Sequence, residues 1–70
     1  MTSPTDLQRF AERLAERLDS RAAAYDEEAR RTRLSYPGEV GRAASSNDHR
    51  KACDYREIAA LVREAAKEET

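Results

Sequence analysis

An all-α antiparallel helical hairpin that assembles into a homo-oligomeric bundle is the fold the sequence predicts, and three observations carry it. Apolar residues recur at steps of three and four through two long stretches. Between them stands a Tyr36-Pro37-Gly38 break. The two stretches are of nearly equal length, as an antiparallel pair with a short connection requires. The whole chain, 1–70, reads as one domain with its bend at about 34–38.

The first helix is expected over about 4–33. Ser3 can cap it, Pro4 suits the first helical position, and Asp6 opposes the positive helix end. Leu7, Ala11, Leu14, Leu18, Ala22, Tyr25, Ala29 and Thr32 then mark one face, with Phe10 widening the stripe. Such a helix is roughly 45 Å long at 1.5 Å per residue.

The second helix is expected over about 37–67, with Pro37 in its first turn and Val40, Ala44, Asp48, Ala52, Tyr55, Ala59, Val62 and Ala66 on its face. A start near 46 is the alternative, because Ser45-Ser46-Asn47-Asp48 favours caps over helix interiors. In its second half, Ile58, Leu61 and Ala65 add more apolar width than one partner helix can cover, which calls for another subunit. Toward the bend the facing residues are mostly alanine, Ala22, Ala29, Ala43 and Ala44, which permits close approach and buries little.

Composition points the same way. With 39% charged residues and only five Leu, two Val, one Ile and one Phe among 70 residues, the core of a lone hairpin is thin. Cys53 stands alone, so no internal disulfide supports it. No stretch has the apolar length of a signal sequence or membrane span, so the chain is expected to be soluble and cytoplasmic in a bacterial host. Eleven Arg against two Lys, with 13 Ala, is the bias a GC-rich bacterial or phage genome leaves.

Charge is unevenly spread. Residues 1–29 carry four Arg against seven acids (net −3), residues 30–51 carry six Arg or Lys against two acids (net +4), and residues 52–70 carry three against five (net −2). The bend is the one basic region, through Arg30, Arg31, Arg33, Arg42, Arg50 and Lys51, with His49 adding charge when protonated. Helix-end electrostatics accounts for part of this, since cations offset the negative end of the first helix. Asp26 to Arg30 and Glu27 to Arg31 also have ion-pair spacing.

The other reading is a site for an anionic small molecule. Guanidinium groups bind phosphate bidentately, Ser35, Ser45 and Ser46 add hydroxyl donors, and the start of the second helix adds amides near Gly38 to Gly41. Tyr25, Tyr36 and Tyr55 offer flat faces for a base, although Tyr25 and Tyr55 also lie on the apolar stripe. The expected ligand-binding residues are Arg30, Arg33, Tyr36, Arg42, Ser46, His49 and Arg50. His49 and Cys53, four apart, make half a zinc site, too few ligands for a metal. Arg9, Arg13, Arg17 and Arg21 form a ladder alongside Glu12, Glu16 and Asp19, suited to a neutralised surface or an intersubunit seam. No residues are arranged for nucleophilic or acid–base chemistry, so neither catalysis nor a cofactor is expected. A net charge of −1 argues against non-specific nucleic-acid binding.

Tyr36-Pro37-Gly38 resembles the Trp-x-Gly turn of the small hairpin proteins secreted by actinobacteria, with Tyr for Trp and without the Tyr-x-x-x-Asp/Glu secretion signal. In size, and in its Arg, Ser and Tyr set from Arg30 to Lys51, the chain is also similar to the small phage-encoded helical sponge proteins. That resemblance implies stoichiometric capture of a nucleotide signal of bacterial immunity, with arginines on the phosphates and no turnover. The alternative is a helical module that regulates a partner protein through its surplus Ile58, Leu61 and Ala65 face.

Overall fold

The computed structural model describes residues 4–69, which form two helices packed side by side. Helix α1 spans Pro4–Ser35 and α2 spans Glu39–Glu68. The hairpin measures 53 × 15 × 12 Å. Ser3, the expected cap of α1, lies outside the described residues.

The connection lies two residues later than expected, with both helix boundaries at the bend shifted together. Helix α1 runs two residues further, and the Tyr36 amide donates to the Thr32 carbonyl at 2.9 Å to close its last turn. Pro37 lies in the connection rather than in the first turn of α2. Gly38 caps α2 with φ 89°, a left-handed conformation that glycine adopts without steric cost. The alternative start near 46 is overturned, because Ser45 to Asp48 are helical. The Ser45 hydroxyl donates to the Arg42 carbonyl at 3.2 Å, so this serine is satisfied inside the helix instead of capping it.

Small residues make the seam between the helices. Ala11, Ala15, Ala22 and Ala29 of α1 are buried against Gly41, Ser45, Ala52 and Ala59 of α2. Side chains this small let the backbones approach closely, so larger residues are pushed to the sides of the seam, where Leu7, Leu18 and Val62 are half-buried. Tyr25 and Tyr55, also half-buried, stack with centroids 5.6 Å apart and planes at 13°. The Lys51 ammonium stands 5.4 Å from the Tyr25 ring centre, within cation–π range.

Near the bend the seam departs from the apolar stripe of α2. Val40 is 70% exposed and Ala43 and Ala44 are exposed, while Gly41 and Ser45 face α1. The cause is the tight crossing: a β-carbon on Gly41 would lie 1.6 Å from the Tyr36 carbonyl oxygen. Only glycine fits there.

Candidate functional site

Seven-residue steps organise one long edge of the hairpin. Residues 12, 19, 26 and 33 of α1 follow one another there, matched by 63, 56, 49 and 42 of α2 running back. Arg63 donates to Glu12 at 3.0 and 3.2 Å and to Asp19 at 3.0 Å. Arg56 donates to Asp26, whose other oxygen lies 3.6 Å from His49 Nδ1.

These contacts leave an electrostatic record. The Arg63 hydrogen bonds hold the Glu12 carboxyl below its ordinary range, and in turn push the Arg63 guanidinium up. The Arg56 hydrogen bond, helped by His49, does the same to Asp26. The pairing of Asp26 with Arg30, expected from i,i+4 spacing, is therefore not formed. Asp26 faces α2 and is taken by longer-range partners.

At the next step toward the bend the pattern changes, because Arg33 and Arg42 occupy the two positions and neither is a carboxylate. A groove of 490 Å³ opens here, lined by Asp26, Ala29, Arg33, Arg42, Ser45, Ser46 and His49. The structure thus brings together Arg33, Arg42, Ser46 and His49 of the expected ligand residues. Arg30, Tyr36 and Arg50 are exposed and do not line the groove. Among the described residues, no ion pair engages Arg33 or Arg42.

Arg30 and Arg31 are both engaged by Glu27, Arg31 at the expected i,i+4 spacing and Arg30 at i,i+3. Glu27 accepts from Arg30 at 2.8 and 3.2 Å and lies 3.6 Å from Arg31. The Arg30 bonds lower the Glu27 carboxyl and raise the Arg30 guanidinium. Gly38 to Gly41, the expected source of amides for the site, are not among the residues that line the groove.

Sequence reading missed Asp26 and Ala29 as groove residues and Arg56 and Arg63 as the bases of the edge ladder. The signal was present as the shared seven-residue spacing of both sets. Cys53 Sγ lies 3.9 Å from His49 Nε2, and no cluster of three metal-ligating side chains occurs among the described residues. No described helix is long and apolar enough to cross a membrane. No family model matches the chain, and no curated protein or solved structure shows significant similarity to it.

Proposed function

We propose that this chain is a non-enzymatic, homo-oligomeric binding protein that captures a phosphate-bearing small molecule in the groove beside its bend. One observation carries the reading: the edge ladder pairs acid with base until the step of Arg33 and Arg42, where two arginines without an ion-pair partner among the described residues line one groove, whose carboxylate, Asp26, is already taken by Arg56 and His49. An anion supplied from solution completes that step. Paired guanidinium forks suit phosphate, and the Ser46 hydroxyl adds a donor at the same rim. The volume lies within the range of small-ligand sites.

Recognition is through phosphate more than through a base. Tyr25 and Tyr55 stack on one another, and Tyr36, though 61% exposed, does not line the groove. A nucleotide signal held stoichiometrically, as in the sponge proteins, is the form of ligand this supports. Isothermal calorimetry against pyrophosphate and a panel of linear and cyclic nucleotides tests it. At least one should bind tighter than about 0.1 mM, a binding free energy of about −5.5 kcal/mol. Arg42→Ala should weaken that binding roughly tenfold or more, the scale of a hydrogen bond between charged groups, and Arg50→Ala should not. Absence of binding, or equal losses in the two variants, overturns the reading.

A second reading, a helical module that regulates a partner protein, is favoured by the exposed Phe10, Ile58 and Leu61 side chains. The two readings divide at these side chains. Pull-down of a distinct protein that Leu61→Asp abolishes, with nucleotide binding absent, would favour the second.

A further inference from the structure

The edge opposite the ion-pair ladder has the reverse character. At the free end of the hairpin Phe10 is 62%, Leu14 39%, Ile58 46% and Leu61 57% exposed. Helical spacing places all four together: Leu14 and Ile58 flank the alanine seam on the side away from Glu12 and Arg63, and Phe10 and Leu61 lie next to them. Phe10, Arg13, Leu14 and Arg17 border a hollow of 190 Å³, a four-residue hole of the kind that receives a side chain from a facing helix.

Charge says which helix faces it. On α1 the apolar patch is bordered by Arg13, Arg17 and Arg21, and on α2 by Asp54, Glu57 and Glu64. None of these six forms an ion pair within the chain among the described residues, in contrast to the carboxylates and arginines of the other edge. One helix therefore presents mainly cations around its apolar residues and the other mainly anions, the exceptions being Asp6 beside Phe10 and Lys51, which lies against the Tyr25 ring. The surface is complementary to itself.

We infer that this face binds a second copy of the chain about a two-fold axis running along the hairpin, so that α1 of each copy packs antiparallel on α2 of the other and both bends lie at the same end. The inference rests on the homo-oligomer proposed above and names its surface. A two-fold axis across the hairpin would bring α1 onto α1 and α2 onto α2, stacking arginine on arginine and acid on acid. Rotation about the long axis instead brings Arg17 to the level of Glu57 and Ile58 and Arg21 to that of Asp54, with Leu14 level with Leu61 and Phe10 one turn beyond at Ala65. Like charges opposed at an interface are costly, so charge selects the second arrangement. In the resulting four-helix bundle the ladder edges, and with them both phosphate grooves, face outward at one end.

Spin labels on Ser35→Cys in a Cys53→Ser background test the geometry by pulsed electron resonance. The same-end arrangement places the two bends within about 30 Å, two to three interhelix distances. The rejected one places them about 70 Å apart, from the rise of 1.5 Å per residue between patch and bend in both copies. Sedimentation of Arg17→Glu and Glu57→Arg should each show a dimer weakened tenfold or more, and the double variant should recover it. A monomer at micromolar concentration overturns this inference and the homo-oligomer together. A dimer with distant bends, or one indifferent to these charge changes, overturns only the inferred surface.

Discussion

Along one edge of the hairpin Glu12, Asp19 and Asp26 meet Arg63 and Arg56, while along the other Leu14 and Ile58 stand beside unpaired charges. Both edges flank the same alanine seam, yet they hold their needs in opposite ways. The first edge satisfies itself within the chain and runs out of acid only at Arg33 and Arg42. On the second, Arg13, Arg17, Arg21, Asp54, Glu57 and Glu64 form no ion pair among the described residues, and the inferred second copy would cover them. In a protein whose buried side chains are almost all alanine, the seam supplies proximity and the edges supply specificity.

Gly41 packs against the Tyr36 carbonyl, and its replacement should have the largest effect. Gly→Ala inside a helix ordinarily stabilises by up to about 1 kcal/mol. Here the added carbon meets the Tyr36 carbonyl at 1.6 Å, so Gly41→Ala should instead destabilise by about 2 to 3 kcal/mol, the scale of an overpacked core. Thermal unfolding followed by circular dichroism gives the sign at once. An unchanged or higher melting temperature would mean that the bend does not require glycine at position 41.

A smaller effect should come from the aromatic pair between the edges. A double-mutant cycle of Tyr25→Ala and Tyr55→Ala should show a coupling of about 0.5 to 1.5 kcal/mol, as stacked rings give beyond their area. Zero coupling would separate the rings.

Acid should act on the ladder edge, with the smallest effect. Glu12 and Asp26 are held below their ordinary values by Arg63 and Arg56. A carboxyl depressed in the folded state contributes stability that is complete above its unfolded pKa and is lost as pH falls through the folded one. The melting temperature should therefore hold from neutrality down to about pH 4.5 and decline below it. Arg63→Gln should shrink the part of that decline due to Glu12. The shift stays modest because these side chains are solvent-exposed.

The helices and the bend were legible in the sequence because long three-and-four periodicity and a Tyr-Pro-Gly break leave few alternatives. The rotation of α2 near the bend was not. Size and apolarity put Val40 and Ala44 inside, whereas the close crossing admits only Gly41 and Ser45, and no local pattern reveals how near two backbones will pass. The same limit applies to the groove. Arg33, Arg42, Ser46 and His49 could be gathered from a charge count, but the partner of Asp26 lies across the hairpin, where i,i+4 spacing is silent. Arg30 and Arg50 carry the right charge and face elsewhere.

Arg33→Glu tests most directly whether the ladder breaks off for a ligand. It places a carboxylate opposite Arg42 and completes the acid–base alternation, while the negative end of α1 acts against a new acid there. Melting temperature and pyrophosphate affinity are measured on the same protein. The expected result is a melting temperature above that of the parent chain together with loss of pyrophosphate binding. A lower melting temperature with binding retained would contradict it, because Arg33 and Arg42 would then be neither an unfinished step of the ladder nor the phosphate site.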